Sequence, residues 1–186
     1  MSYATSAHDR MLAGLIIPCR VDAVDLAAGM VRVTDGSGWT SAWVRWHSLA
    51  AGKARHWRAP SMSEQGALIS PSGDPAQGTF VPGLYGNAGA QPDNRDHVEV
   101  WRFDDGGSLV YDWQASTYSI TLPTGTVTVD VGASLVTVTD STVSAQAATI
   151  VLQGNVTIDG PLQVTGNVVG LGMIMDAGGN SSNHKH

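Results

Sequence analysis

The two histidines at the end of the chain, His184 and His186, are the residues whose type and spacing point most directly to chemistry. In an extended strand the side chains alternate between two sides, so both imidazoles would lie opposite Lys185. Two imidazoles from one chain do not complete a metal site. A threefold axis through this tip would bring six imidazole nitrogens together, the ligand number of an octahedral transition-metal site. The pair therefore suggests a metal-binding tip in a trimer.

A simpler interpretation of this pair stays open. Terminal histidines are often a solvated, frayed tail, and expression tags also leave histidines at chain ends. Zinc prefers four ligands, so six imidazoles would favour iron, nickel or cobalt. The decision depends on whether the preceding residues build a threefold stem.

Catalytic motifs are absent from the rest of the sequence. There is no Gly-x-Ser-x-Gly motif, no phosphate-binding loop and no cysteine and histidine pair in a suitable context. His47, beside Ser48, and His56 are interpreted as surface or interface residues. The two aspartates of the 104–107 segment precede two glycines, which favours a hairpin turn over acid and base chemistry. We therefore expect a protein that is not an enzyme.

Aromatic residues and charge divide the chain into two regions. All six tryptophans lie between Trp39 and Trp113, and no aromatic residue follows Tyr118. Up to Phe103, nine Lys and Arg balance nine Asp and Glu, whereas seven Asp and only Lys185 follow, which gives the net charge of −6. The neutral first region has no basic face, which argues against binding of nucleic acid. The spaced aspartates of the second region indicate a solvated outer face.

The one cysteine, Cys19, excludes an intrachain disulfide and is interpreted as a half-buried thiol on a strand. The apolar run 11–17 is short for a signal peptide, and only Arg10 precedes it as a basic residue. No segment reaches the ~20 apolar residues that a membrane helix needs. We expect synthesis in the cytosol.

Short segments separated by Gly and Pro predict strands across the first region. They are 15–24, 30–34, 39–46, 66–70 and 79–81, and their number favours a small barrel. A short helix could form at 50–57, and 86–94 has the composition of a linker. We interpret the tryptophans as residues that fill the core and interfaces, and not as exposed rings on which sugars or single-stranded nucleic acids stack. If they are exposed, a protein partner is favoured.

The second region alternates apolar and polar residues in short strands with one narrow apolar face. A hairpin is predicted from 97–103 and 108–111, and apolar residues then alternate at 127, 129, 131, 136, 138, 150, 152, 156, 158, 162 and 164. Glycines recur every six residues at 154, 160, 166 and 172. Such strands bury too little surface alone, so three copies wrapped around a common axis are predicted. A single-chain β-solenoid is the alternative, although it would need longer repeats and a wider core.

The order of several short motifs resembles the phage baseplate assembly protein V family, the central spikes of contractile tails. The motifs are Trp43-Val44-Arg45-Trp46, Arg55-His56-Trp57-Arg58-Ala59-Pro60, Glu64-Gln65-Gly66, Pro71-Ser72-Gly73-Asp74-Pro75, Val81-Pro82-Gly83-Leu84-Tyr85 and His97-Val98-Glu99-Val100-Trp101, followed by the His-x-His near the end. One departure is that family members commonly extend a few residues past this last motif, whereas His186 is the last residue here.

The resemblance implies an all-β fold in three parts. Residues 1–94 would form an OB-fold-like barrel and linker, residues 95–172 an intertwined trimeric β-helix stem, and residues 173–186 a pointed apex. At the apex, His184 and His186 of three chains would hold one iron ion through six nitrogens. Iron as the metal comes from the resemblance alone.

The implied function is that of a central spike at the tip of the tail baseplate in the virion. The homotrimer would dock under the baseplate hub protein through its barrel and cross the bacterial outer membrane mechanically when the sheath contracts. Two alternatives are a trimeric tail fibre or adhesin that binds a cell-surface receptor, and an oligosaccharide-binding barrel on a β-helical spacer. The segment 178–182 has no aromatic residue, which argues against an adhesin tip.

Overall fold

The computed structural model describes residues 3–172 and is nearly all β. One α-helix, α1 (Tyr3–Gly14), precedes the strands, and two 3₁₀ turns, Pro71–Gly73 and Pro75–Gln77, lie between the fourth and fifth. The strands are β1 (Ile16–Asp25), β2 (Met30–Thr34), β3 (Val44–Trp46), β4 (Gln65–Ile69), β5 (Thr79–Leu84), β6 (Val98–Arg102), β7 (Ser108–Asp112), β8 (Thr117–Thr121), β9 (Val127–Val131), β10 (Ser134–Val138) and β11 (Val143–Gln146). Within residues 3–172, no helix has the length and apolar character to cross a membrane.

The backbone forms two compact units, Met1–Pro123 and Thr124–His186. The first unit contains α1, the barrel strands β1 to β5 and a three-stranded sheet of β6, β7 and β8. The second contains the three-stranded sheet of β9, β10 and β11. The first compact unit therefore includes residues 86–94, whose composition is typical of a linker, and continues beyond them to Pro123.

Strands β1 to β5 close into a barrel in the order β1-β2-β3-β5-β4, which confirms the predicted five-stranded barrel. All neighbours are antiparallel except β3 and β5, which run parallel. The ten-residue β1 pairs with β4 through its first half and with β2 through its second. Its register shifts between Val21 and Ala23, and such a bulge bends a strand enough for it to join both sides of a barrel.

Alternate residues of the barrel strands point inward and form its core. The buried apolar side chains are Cys19, Val21, Val31, Val33, Val44, Leu68 and Phe80. Phe80 is the largest of them, and a Cβ added at Gly66 would lie 2.7 Å from its Cε2 atom. Glycine at position 66 therefore makes room for the phenylalanine ring that fills the barrel.

Three local expectations differ from the structure. The predicted strand 39–46 is reduced to Val44–Trp46, because Ser41 Oγ accepts the Val33 amide proton and the backbone ladder is interrupted there. Residues 50–57 form no helix; an isolated bridge joins Ala51 to Arg55. Helix α1 was not anticipated, since it has no acidic residue in its first turn and no basic residue in its last.

The tryptophans are not part of the buried core, contrary to one of the two expected roles. Trp39 and Trp46 are partly buried and pack against the core, while Trp43, Trp57, Trp101 and Trp113 are exposed. A five-stranded barrel of this size is filled by Val, Leu and Phe, so the larger indole rings remain at its surface.

Candidate functional site

The predicted metal ligands, His184 and His186, lie outside the described residues. Between residues 3 and 172, no group of three or more His, Cys, Asp or Glu side chains is placed to hold a metal ion. The site that the described part of the chain does present is a set of exposed apolar faces on its short sheets.

The first sheet carries a face that we name the aromatic face: Trp101, Leu109, Tyr111, Tyr118 and Ile120. The strand register places Trp101 opposite Leu109, Leu109 opposite Ile120 and Tyr111 opposite Tyr118. Since side chains alternate along a strand, all five lie on one side of the sheet. The other side carries Val98, Val100, Arg102, Ser108, Val110, Asp112, Thr117, Ser119 and Thr121.

The aromatic face is ordered by contacts among its own members. The rings of Tyr111 and Tyr118 are 6.4 Å apart between centroids, and the indole N–H of Trp101 donates to Glu99 Oε1 at 2.9 Å. Tyr118 is nevertheless 63% exposed and Ile120 50% exposed. Contiguous apolar surface of this kind marks an interaction site in soluble proteins.

The second sheet has a face that we name the valine face: Val127, Val129, Val131, Val136, Val138 and Val143. Val136 is paired with Val129, and Val138 lies between Val127 and Val143. The opposite side carries Thr128, Asp130, Leu135, Thr137, Ser144 and Gln146. Val143 is 75% exposed, so the single chain leaves this face uncovered. The predicted alternation of the stem at 127–138 is confirmed.

Residues 147–172 continue the alternation without forming a strand within the chain. Their alternating apolar residues are between 49% and 73% exposed: Ile150, Leu152, Val156, Ile158, Leu162 and Val164. Gly154 and Gly160 have φ angles of 125° and 142°, which residues with a side chain rarely adopt. Glycine is therefore required at these two positions of the six-residue repeat. A segment without intrachain ladders needs strands from other chains.

A charged cluster ties the linker to the first sheet. The Arg95 guanidinium binds Asp93 at 2.7 Å and Asp112 at 3.3 Å, and His97 Nδ1 lies 3.0 Å from Asp96 Oδ1. The hydrogen bond from Arg95 holds the pKa of Asp93 well below its ordinary value. Asp112 is the last residue of β7, so the ion pair with Arg95 joins the chain just before β6 to that end of the sheet.

Aromatic residues also connect the barrel with the first sheet. The imidazole of His56 meets Trp101 edge-on at 6.0 Å, and the rings of Trp46 and Trp57 are 5.4 Å apart. Trp57 is 65% exposed. His56 therefore lies at an interface between two parts of the first unit, one of the two roles expected for it.

The environment of the one cysteine, Cys19, disfavours reaction of its thiol. Cys19 lies on β1, opposite Gly66 of β4, and its side chain is buried. Desolvation raises the pKa of its thiol to about 11. The thiolate is the reactive form, so Cys19 belongs to the barrel core and not to a reactive site.

An apolar patch, which we name the barrel-end patch, consists of Leu12, Leu15, Ile16 and Ile69. Ile16 and Ile69 are paired across β1 and β4, and all four side chains are exposed. Helix α1 is fixed beside them, because a Cβ at Gly14 would lie 2.6 Å from the Gly73 carbonyl oxygen.

The aromatic face and the barrel-end patch were not recognised in the sequence. The aromatic face had a signal in the sequence, since large apolar residues lie two positions apart in β7, at Leu109 and Tyr111, and in β8, at Tyr118 and Ile120. The barrel-end patch had none, because the pairing of Ile16 with Ile69 joins residues far apart in sequence.

Two protein families match separate parts of the chain. Residues 17–85 match the family described as "Type VI secretion system/phage-baseplate injector OB domain". Residues 99–170 match "Gp138, beta helical trimerization domain". The chain is also similar to the spike protein of Escherichia phage P2, with 32% identity over 160 residues that cover 85% of this chain and 71% of the relative.

Proposed function

The chain belongs to the phage baseplate spike family, and from that premise we propose that it pierces the host envelope mechanically when the tail sheath contracts. It is a homotrimeric central spike of the tail baseplate in the virion, with an OB domain and a β-helical trimerization domain. The observation that supports the mechanical role is the exposure of the aromatic face, the valine face and the 147–172 segment in one chain. Three chains that share these surfaces cannot separate without exposing all of them.

The proposed mechanism requires no catalysis. The sheath would supply the force, and an intertwined stem would transmit it, because no chain can unravel without losing its contacts with two others. The charged residues of 124–172 are Asp130, Asp140 and Asp159, with no Lys or Arg, so the surface of this part of the stem would not adhere to anionic lipid head groups.

Passage through the envelope is tested with tails triggered to contract against outer-membrane vesicles. We expect the spike to reach the vesicle interior and to become protected from added protease. Tails held in the extended state are the control, and their spike should stay sensitive. Protease sensitivity of the spike after contraction would contradict piercing.

We propose that the barrel docks on the baseplate hub protein through the barrel-end patch. Ile69, the last residue of β4, is paired with Ile16 of β1 and Thr79 of β5. Leu84, from which the chain leaves the barrel towards the linker, is paired with Gln65 at the other end of β4. The patch lies at the end of these barrel strands opposite to the point where the chain continues, and it is apolar, as protein interfaces are at their centres.

Docking is tested by Ile69→Arg in a phage that depends on the supplied spike. We expect the variant to remain trimeric but to be absent from purified tails, because an arginine would be desolvated in the contact. Ala27→Arg, in the exposed turn between β1 and β2, is the matched control and should be incorporated. Equal incorporation of the two variants would place the docking surface elsewhere.

We further propose that His184 and His186 of three chains bind one iron ion. The donor set supports an octahedral ion over tetrahedral zinc, since six imidazoles suit octahedral coordination, and the choice of iron rests on the family resemblance. Elemental analysis of untagged protein purified without a metal resin should find one iron per trimer, lost in the double variant His184→Ala, His186→Ala while the trimer persists. Absence of metal from the wild type, or tetrahedral zinc, would contradict the proposal.

A further inference from the structure

We propose that residues 86–95, which connect the barrel with the first sheet, form a rigid connection, and that Gln65 is the residue that positions it. The composition of 86–94 is typical of a flexible linker, yet the backbone is bound at both ends of the segment. A rigid connection would pass force from the barrel to the stem, and in this respect the inference rests on the proposed piercing. The rigidity itself does not depend on piercing.

The first end of the connection is bound to the barrel by the side chain of Gln65. This residue lies on β4, opposite Leu84, the last residue of β5. Its Oε1 atom accepts the backbone N–H of Asn87 at 2.9 Å. The bond holds the chain against β4 immediately after it leaves β5, and so it sets the direction in which the connection departs.

Glycine at position 86 allows the side chain of Gln65 to reach Asn87. A Cβ at Gly86 would overlap Gln65 Oε1 and would lie 2.5 Å from Gln65 Cδ. Any larger residue would therefore push the amide group aside and break its bond to Asn87. Gly86 and Gly89 also exchange two backbone hydrogen bonds, at 3.0 and 3.1 Å, which close a tight turn.

The second end of the connection is bound to the first sheet. Asp93 Oδ1 accepts the backbone N–H of Arg95 at 2.9 Å, and the Arg95 guanidinium donates to Asp112 of β7 at 3.3 Å. Residues 90–92 lie between the two bound ends, and Pro92 restricts both its own φ and the conformation of the residue before it. Little backbone freedom is therefore left in the connection.

A loop of the barrel supports this arrangement from the side. The His56 imidazole meets Trp101 of β6 edge-on, with 6.0 Å between the ring centroids. His56 is itself fixed, because Ser48 Oγ donates to its carbonyl oxygen at 2.5 Å and its backbone N–H donates to the Ala50 carbonyl oxygen at 2.9 Å. A flexible linker behaves as a random coil and bends under a push. The bound connection and the His56 contact would instead carry a push on the barrel into the first sheet.

Hydrogen exchange of the Asn87 amide in the full-length trimer tests the rigidity. Gln65→Ala removes the acceptor and Gly86→Ala displaces it, so each should raise the exchange rate about 10-fold over the wild type. Gly89→Ala is the matched control, because it adds the same methyl group to the same turn with nothing within 4 Å. Gln65→Glu keeps an acceptor oxygen and should retain the protection of the amide.

The double variant Gln65→Ala, Gly86→Ala separates this contact from a general loosening of the turn. The atoms nearest to a methyl group at position 86 belong to Gln65, so the double variant should exchange at the same rate as Gln65→Ala alone. Exchange in the wild type as fast as in Gln65→Ala, or equal rates in Gly86→Ala and Gly89→Ala, would overturn the proposal.

Tails assembled with the same variants test the passage of force. Gln65→Ala should enter tails as a trimer, because the barrel-end patch and the valine face are unchanged. After contraction against outer-membrane vesicles, its protease-protected fraction should be smaller than that of the wild type and of Gly89→Ala. Equal protection of all three would overturn the role in force transmission. A wild-type spike without protection would contradict piercing alone, since the exchange rates are measured without tails.

Discussion

The barrel and the stem use the same alternating pattern of apolar residues but bury them in different ways. In the barrel each strand has two neighbours in the same chain, and Val31, Val33, Leu68 and Phe80 are all 0% exposed. Among the described residues of the second unit, 124–172, no side chain is buried. Burial is therefore intrachain in the barrel, whereas a single chain leaves residues 124–172 uncovered. The barrel should have a stability of its own, whereas the stability of the stem depends on assembly.

Strand length and closure explain the difference. The ten residues of β1 pair with two strands and bend at a bulge, so the barrel sheet can close on itself. The strands of the second sheet have four or five residues and are joined in a simple antiparallel meander. A short meander cannot enclose its own apolar face, and it is left for other chains to cover.

Val136→Asp should have the largest effect, because it places three carboxylates in the proposed seam of the trimer. Each unpaired buried charge costs several kcal/mol, so we expect no trimer in sedimentation or in detergent gels without heating. Thr128→Asp, on the polar side of the same sheet, should remain trimeric. A detergent-resistant trimer of Val136→Asp would show that the stem is not held together by its valine face.

Phe80→Ala should destabilise the barrel by about 3–5 kcal/mol, the usual cost of removing a buried phenylalanine, without dissociating the stem. Thermal unfolding followed by tryptophan fluorescence measures the first unit, which holds all six tryptophans, four of them before residue 85. Leu26→Ala, at an exposed position in the turn between β1 and β2, is the control and should cost less than about 0.5 kcal/mol. Loss of the trimer in Phe80→Ala would mean that the two regions do not fold independently.

Alkaline pH should weaken the barrel and not the stem. Folding raises the pKa of Cys19 from about 9 to about 11, because burial disfavours the thiolate. The native state then binds the proton more tightly, so this contribution is fully present below pH 9 and is lost as pH rises towards 11. The melting temperature of the barrel should fall over that window, and less so in Cys19→Ala. An equal fall in both proteins would assign the pH dependence to other groups.

The linker cluster should have the smallest effect. The depressed pKa of Asp93 means that its interaction with Arg95 is present at neutral pH and is lost as pH falls below about 4. The pair lies at the surface, so Asp93→Asn should lower the melting temperature at pH 7 by less than about 2 °C, and the difference from the wild type should be smaller at pH 3. Asp104→Asn is the control, in an exposed turn, and should match the wild type at both pH values. A larger loss would show that the linker organises the first sheet.

Much of this protein could be predicted from local sequence. The five barrel segments, the hairpin at 97–111 and the one-sided strands at 127–138 were all predicted, because a strand with one buried face repeats every two residues. The need for a trimer was predicted from the same observation, since narrow apolar faces without a covering helix need partners. The resemblance then indicated a baseplate spike, which the family matches confirm. The metal at His184 and His186 stays a prediction.

Other features of the protein were decided only by the tertiary structure, because they depend on contacts between residues far apart in sequence. The tryptophans were expected to fill the core and interfaces, but the closed barrel is filled by Phe80 and small aliphatic side chains; Trp39 and Trp46 pack against this core, and the other indoles are exposed. Helix α1 is held by the close approach of Gly14 to Gly73, and it has no acidic residue in its first turn and no basic residue in its last. The aromatic face exists because strand register places Trp101, Tyr111 and Tyr118 on one side. Alternation along a strand is local, whereas register and closure are set by pairing across the chain, and for that reason the sequence alone did not specify them.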